Sequence, residues 1–213
     1  VPNVSAGGMI SAGRDASGNT AFFPVPTPGE ENGEGFASAE EAEKQLPEVY
    51  ISEIKSTSED KIDWIELCNR TGEDISLAGW GVSDTLKNVY RYKFEDAVIK
   101  AGGYLVIEGK GGSGSYTAEF GIKKAGESVY LTNEKGVTVD SLNGGWQSGD
   151  ISRGRTGQDS TPYYFEASTK GAANSASVYT SYASDPVFSV QGGYVSSGTS
   201  LELSAKDGET IYY

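Results

Sequence analysis

Residues 49–83 read VYISEIKSTSEDKIDWIELCNRTGEDISLAGWGVS. Short runs rich in Val, Ile, Tyr and Trp alternate here with polar, turn-forming segments. In the second run, alternation places Trp64 and Glu66 on one face of a strand, and Ile65 and Leu67 on the other. Parallel pairing would need crossover helices between the runs, and the sequence has none. The stretch therefore predicts antiparallel strands with one face toward a core.

The same pattern continues toward the C-terminus. Seven strands are predicted, with Gly-rich breaks between them: 49–54, 61–67, 79–83, 89–94, 104–107, 128–132 and 137–142. Many short strands at a spacing of roughly 8–15 residues are typical of a β-sandwich or barrel. We therefore expect an all-β, antiparallel fold.

The flanking segments have different patterns. Residues 38–46 begin with an N-cap Ser and early acidic residues, and Pro47 ends the pattern, which predicts a short surface helix or a linker. Residues 174–184 are small and polar, as in a linker. A new strand pattern then starts at Pro186, but the remaining stretch to Tyr213 is too short to bury its own core. We expect this last unit to be incomplete.

The two ends of the first unit carry an internal repeat. Residues 10–14 (ISAGR) resemble 151–155 (ISRGR), and 27–32 (TPGEEN) lie opposite 169–174 (TKGAAN). The aromatic pair Phe22-Phe23 faces Tyr163-Tyr164 between them, and one single-residue insertion reconciles the whole stretch. One interpretation is chance similarity between two Gly- and Ser-rich loops. The other is that the N-terminal residues are the tail of a preceding copy, as in a tandem array.

Several motifs occur between residues 49 and 174 in a recognisable order. They are VYISEI (49–54), DWIELCN (63–69), ISLAGWGVSD (75–84), IKAGGYLVI (99–107), GESVYL (126–131), GVTVDS (136–141), SRGR (152–155) and GAAN (171–174). Together they resemble the lamin-tail domain, an immunoglobulin-like β-sandwich found in lamins and in many bacterial secreted or surface proteins. Cys68 stands where that family usually has an aromatic residue, and Lys170 where a Pro is usual, whereas the N-terminal copy has Pro28.

The C-terminal stretch resembles a second family more weakly. Residues 186–189 (PVFS) and 209–213 (ETIYY) are similar to the start of a chitobiase C-terminal-type, immunoglobulin-like module. The resemblances together imply five segments: 1–36 as the tail of a preceding lamin-tail-like repeat, 37–47 as a linker or short helix, 48–176 as the lamin-tail domain, 177–185 as a linker, and 186–213 as an incomplete immunoglobulin-like module.

Composition excludes several classes of function. The net charge is −13, from 17 Lys+Arg against 30 Asp+Glu, which argues against a reader of duplex nucleic acid. The chain has no His, and Cys68 is its one cysteine. Catalytic triads with His, disulfides within the chain and thiolate zinc sites are therefore excluded. No apolar run approaches the length of a membrane span, and we expect no signal peptide in this sequence.

Four carboxylates at motif positions are candidates for chemistry: Asp63, Glu66, Asp84 and Asp140. They could bind Ca²⁺ through oxygen or act as an acid and base pair. The alternative is structural: they accept backbone N–H groups at strand ends, or form ion pairs with Arg153 and Arg155. We assign no catalytic, cofactor or metal residue, and Ca²⁺ is the one cofactor left open.

The remaining candidates are aromatic residues and the thiol. Trp64 and Trp80 lie in or beside predicted strands, which favours the core over a sugar-stacking platform. Trp146 lies in a Gly-rich loop and is the aromatic residue we expect to be exposed, as a loop plug or a ligand contact. Cys68 is predicted to be a small buried hydrophobic residue.

These observations favour a non-catalytic structural or interaction module of a tandem, extracellular or cell-surface bacterial protein. Its partners would be other proteins, cell-surface polymers and neighbouring repeats, not nucleic acid. One alternative is a carbohydrate-binding accessory module. Another is a module that positions a CotH-type kinase-like or nuclease domain of a longer parent chain.

Overall fold

The computed structural model describes residues 10–24, 31–43, 45, 47–56, 62–156, 161–175 and 177–211. Its elements, in chain order, are β1 (Ser11–Arg14), β2 (Thr20–Phe23), α1 (Ala39–Glu43), β3 (Val49–Lys55), β4 (Trp64–Asn69), β5 (Ile75–Ser76), β6 (Gly81–Ser83), β7 (Tyr92–Lys93), β8 (Val98–Ile99), β9 (Tyr104–Glu108), β10 (Ser128–Thr132), β11 (Thr138–Asn143), β12 (Ser152–Gly154), β13 (Tyr163–Phe165), β14 (Val187–Phe188) and β15 (Leu203–Ser204). Predictions that involve Thr27, Pro28, Lys61, Tyr212 or Tyr213 lie outside the described residues.

Two antiparallel sheets form the main architecture. The five-stranded sheet has the order β13-β12-β3-β4-β9, and the four-stranded sheet has the order β11-β10-β6-β7. Every pairing between these strands is antiparallel. The prediction of an all-β antiparallel fold is therefore confirmed.

The hydrophobic core draws side chains from both sheets. Ile65 and Leu67 of β4 belong to one buried cluster with Val129 and Leu131 of β10. Each fully buried side chain of this size contributes roughly 1.5–3 kcal/mol to folding. The predicted alternation along β4 is confirmed, because Ile65 and Leu67 face this core while Cys68 belongs to a separate cluster with Tyr50.

A register shift in β3 determines which side chains oppose each other. Ile51 pairs with Leu67, but Glu53 pairs with Glu66, so Ser52 is an extra residue in the ladder. Such a bulge lets the strand keep its apolar residues toward the core on both sides of the shift. As a result, Ile51 and Ile54 both lie in the core cluster.

Several predicted elements differ in length from those observed. The strand predicted at 89–94 is reduced to Tyr92–Lys93, because the Asn88 side chain accepts the Tyr90 N–H (3.3 Å) and makes a turn there. The helix spans only Ala39–Glu43, with the Ser38 Oγ accepting the N–H of Glu41 (3.2 Å) as an N-cap. Ala42 is fully buried, so this helix also contributes to packing, contrary to the expectation of a purely surface helix.

Both terminal regions form small sheets of their own. β1 pairs with β2, and β14 pairs with β15. The chain divides into two compact units, Val1–Tyr179 and Thr180–Tyr213. Within the described ranges, no helix combines the length and the apolar character that crossing a membrane requires.

Candidate functional site

Two glutamates lie side by side on the outer face of the five-stranded sheet. Glu53 of β3 and Glu66 of β4 are directly opposite each other in the ladder, and both are fully buried. Like charges in this position repel, and a buried carboxylate without hydrogen bonds is costly. The pair therefore depends on the donors around it.

The loop at residues 169–174, together with β12, supplies the donors for Glu53. The Thr169 N–H and Oγ1 donate to Glu53 Oε2 at 3.1 and 3.0 Å, and the Ser152 hydroxyl donates to Oε1. Burial raises the pKa of Glu53, and these hydrogen bonds oppose the rise because they favour the charged form. Glu53 thus ties the loop to the sheet.

Glu66 is tied to the same loop and to β3. The Ser52 hydroxyl donates to Oε1 at 2.8 Å, and the Gly171 N–H donates to Oε2 at 2.5 Å. Burial raises the pKa of Glu66 to about 7, with the Ser52 and Gly171 bonds opposing the shift and the neighbouring Glu53 adding to it. The two glutamates and the loop form what we call the carboxylate latch: Glu53, Glu66, and residues 169–174.

Asn174 completes the attachment of the loop. Its Nδ2 donates to the carbonyl oxygens of Ser52 (2.9 Å) and Arg155 (2.7 Å). Its Oδ1 also lies within hydrogen-bonding distance of the Thr169 Oγ1, so it shares the single hydroxyl hydrogen of Thr169 with Glu53. One side chain therefore joins β3, the residue after β12 and the start of the loop.

Asp140 joins the two sheets. Its Oδ2 accepts the Ile51 N–H of β3 and the Arg155 Nη1, both at 2.7 Å. Arg155 also donates to the carbonyl oxygens of Ile51 (2.9 Å) and Ser141 (2.8 Å), and both charged side chains are nearly buried. The ion pair with Arg155 that the sequence offered as the structural alternative is present.

The other two candidate carboxylates lie elsewhere. Asp63 Oδ2 accepts the Ile122 N–H at 2.7 Å, and burial raises the pKa of Asp63. Asp84 forms an ion pair with Arg91, whose guanidinium lies 4.8 Å from the centre of the Phe120 ring. Among the described residues, no three His, Cys, Asp or Glu side chains are grouped as metal ligands.

The buried polar residues that no sequence pattern marked as candidates include Lys55 and Gln147, besides Glu53. The Lys55 Nζ donates to the carbonyls of Gly149 (2.7 Å) and Ile151 (3.1 Å), and burial lowers the pKa of Lys55. The Gln147 amide accepts the Ser56 N–H (2.8 Å) and donates to Ile54 O (3.1 Å). Strict alternation from Val49 and Ile51 would turn Lys55 toward the core, so no local signal in the sequence marks this role.

The aromatic candidates occupy different environments. Trp64 is buried, with the Lys170 Nζ 6.0 Å from its ring centre, and Trp80 packs partly buried against the core. Trp146 is 50% exposed, as its Gly-rich loop predicted. A groove of about 330 Å³ also runs beside β9, and Tyr104 and Tyr116 are among its lining residues.

Cys68 lies in a small cluster on the outer face of the five-stranded sheet. It packs with Tyr50, and the partly buried Ile10 and Tyr104 pack against the two. The thiol is free and buried, and burial raises its pKa. The prediction of a small buried hydrophobic residue agrees with this environment.

Comparison with protein families identifies a domain family that this chain is similar to. The family model for the Lamin Tail Domain matches residues 42–145. That family is immunoglobulin-like, which agrees with the two antiparallel sheets and confirms the predicted fold class. The match ends before β12 and β13, although these strands complete the five-stranded sheet. A search of curated proteins found no match.

Proposed function

We propose that this chain is a non-catalytic structural and interaction module of an extracellular or cell-surface bacterial protein in which similar modules follow one another. The observation that supports the proposal is the set of hydrogen bonds that three carboxylates accept. Glu53, Glu66 and Asp140 direct their oxygens to hydroxyl, backbone and guanidinium donors of the same domain. Groups used in this way hold a fold together.

The setting and the partners are part of the same proposal. An excess of acidic residues, a single cysteine and the lamin-tail match are compatible with surface proteins of bacteria. The partners would be other proteins, cell-surface polymers or neighbouring repeats, and the charge of −13 argues against nucleic acid. The sequence repeat supports an arrangement in series.

Thermal and urea unfolding of Glu53→Ala tests the structural role. A carboxylate kept for ligand binding or catalysis is usually held at a cost in stability, so its removal stabilises the protein. A structural carboxylate behaves in the opposite way. We expect Glu53→Ala to destabilise the domain by about 2–4 kcal/mol, because four donor contacts from Ser152 and Thr169 lose their acceptor.

The control variant for this experiment is Glu119→Ala, which removes an exposed carboxylate. We expect it to change stability by less than about 0.5 kcal/mol. A Glu53→Ala domain as stable as the parent, or more stable, would contradict the structural role and favour a ligand site at the latch.

A carbohydrate-binding accessory module is the second candidate. The half-exposed Trp146 and the groove beside β9 favour it, because flat aromatic rings pack against sugar faces. Glycan-array binding of the full chain tests it, with Trp146→Ala as the variant and Leu86→Ala, also exposed, as the control. Binding that Trp146→Ala abolishes and Leu86→Ala preserves would establish this function in place of a purely structural one.

A further inference from the structure

The N-terminal hairpin, β1 with β2, has the same pairing as the closing hairpin, β12 with β13. Ser11 pairs with Phe23 as Ser152 pairs with Phe165, and Gly13 pairs with Ala21 as Gly154 pairs with Tyr163. Alignment of the sequence alone places Phe22-Phe23 opposite Tyr163-Tyr164. The register instead matches Phe22 with Tyr164, so the inserted residue lies in the turn of the hairpin.

Each hairpin also receives a third segment at the same place. Phe22 and Phe36 exchange two backbone hydrogen bonds, both of 2.9 Å. Tyr164 and Tyr179 exchange the equivalent pair, at 2.8 and 3.0 Å. The likeness therefore extends beyond the two strands.

An asparagine holds both hairpins in the same way. Asn32 Nδ2 donates to the Arg14 carbonyl at 2.8 Å, and Asn174 Nδ2 donates to the Arg155 carbonyl at 2.7 Å. A Cβ added at Gly13 would lie 2.9 Å from Asn32 Nδ2, and one added at Gly154 would lie 2.9 Å from Asn174 Nδ2. Chance similarity between two polar loops does not explain matching contacts over the whole segment.

The two hairpins differ at one edge. In the closing hairpin this edge carries β3, with the Arg155 N–H donating to the Ser52 carbonyl at 2.8 Å. In the N-terminal hairpin, the Asp15 N–H donates to Asn19 O, so by alternation the backbone groups of Ala12 and Arg14 point away from β2. Of the described residues, only those of β2 pair with β1.

We infer that this edge of β1 is a docking site for an antiparallel strand of the β3 type from a second lamin-tail domain. The inference rests on the proposed function, because it makes the N-terminal hairpin the closing hairpin of another module. The closing hairpin identifies the occupant, because its equivalent edge binds β3. The Ser11 hydroxyl now donates to the Phe23 carbonyl at 3.4 Å, and it would turn from there to a glutamate of that strand, as Ser152 donates to Glu53.

The strand must come from outside this domain. β3 of the chain already pairs with β12 on one side and with β4 on the other. It cannot reach β1 unless the closing hairpin leaves. An intact second copy therefore cannot supply a β3 strand to this edge. A domain that lacks its own closing hairpin can, because one side of its β3 is unpaired.

A peptide of residues 47–56, PEVYISEIKS, is the probe. It is titrated into the ¹⁵N-labelled full chain, and amide shifts and hydrogen exchange are followed by NMR. We expect saturable shifts at Ala12 and Arg14, with slower exchange at both amides. A scrambled peptide should produce neither effect.

Ala12→Pro is the matched variant, because it removes an N–H that faces the open edge and leaves the bonds to β2 intact. We expect it to weaken peptide binding about tenfold, within the range of one to two lost hydrogen bonds. Ala12→Val keeps the N–H and should bind like the parent. The thermal midpoint of both variants checks that the main domain remains folded.

Three results would overturn the docking site. These are the absence of shifts at Ala12 and Arg14, equal binding by Ala12→Pro and the parent, and shifts confined to β9 or β12. None of them changes the expected loss of stability in Glu53→Ala, so failure here is distinguishable from failure of the proposed function.

Discussion

Glu66 shows how a single residue couples this fold to pH. Burial raises its pKa to about 7 from an ordinary value of 4.5. Between about pH 4.5 and pH 7, the folded chain therefore keeps a proton on Glu66 that the unfolded chain has released. The stabilisation from that proton is fully present below about pH 4.5 and is lost as the pH rises through about 7. Raised pKa values at Glu53 and Asp63 act in the same direction.

We expect the free energy of unfolding of the parent to fall by on the order of 2 kcal/mol between about pH 5 and pH 8 through this effect. Urea unfolding at a series of pH values measures it. Glu66→Gln is the comparison variant, because glutamine has nearly the same shape and does not titrate. Parallel pH profiles for the parent and Glu66→Gln would show that Glu66 does not carry the effect.

Asp140 is the second residue whose substitution should change the stability of the domain. Asp140→Asn leaves the nearly buried Arg155 without its counter-charge, which costs about 3–5 kcal/mol in such pairs. Asp74→Asn is the control, because the Asp74–Lys100 pair is exposed to solvent and such surface pairs add little to stability. Chemical unfolding should separate the two variants clearly. Equal losses would mean that Asp140 does not join the sheets as described.

At the scale of elements, the closing hairpin and the loop at 169–174 complete the five-stranded sheet. Gly154 lies so close to β3 that a Cβ would overlap the Ser52 carbonyl oxygen. At Gly13, its counterpart in β1, the three atoms nearest to an added Cβ belong to the Asn32 side chain and the Phe23 ring, and none is a backbone atom. The same substitution should therefore have different effects in the two hairpins.

We expect Gly154→Ala to destabilise the domain by more than about 3 kcal/mol and Gly13→Ala to cost less than about 1 kcal/mol. Differential scanning calorimetry of the two variants provides the comparison. If Gly13→Ala proves as damaging as Gly154→Ala, the edge beside β1 is already filled, and the docking site is wrong.

The sequence predicted the elements that depend on local pattern. Strands such as Ser128–Thr132 and the N-cap at Ser38 follow from alternation and hydrogen-bonding preference, which act over a few residues. It did not predict that Glu53 opposes Glu66, because a bulge at Ser52 changes the register, and nothing in the local sequence marks it. Local patterns likewise do not predict contacts between distant segments, such as the hydrogen bond from Lys55 to the Gly149 carbonyl.

At the scale of the whole molecule, the domain has its own closing hairpin, and the N-terminal hairpin has the same strand register as that hairpin. The domain has its own core, its inter-sheet ion pair and its carboxylate latch. The hairpin contributes packing at its edge, where Ile10 lies against Tyr50 and Cys68. The complete sandwich should not require it.

Deletion of residues 1–36 tests this central claim most directly. Circular dichroism and amide hydrogen exchange are measured on the chain that begins at residue 37 and compared with the full chain. We expect a cooperative unfolding transition and protected amides in β3, β4 and β10, as in the full chain. An unfolded chain without protected amides would contradict it, because the N-terminal residues would then be an integral part of the sandwich.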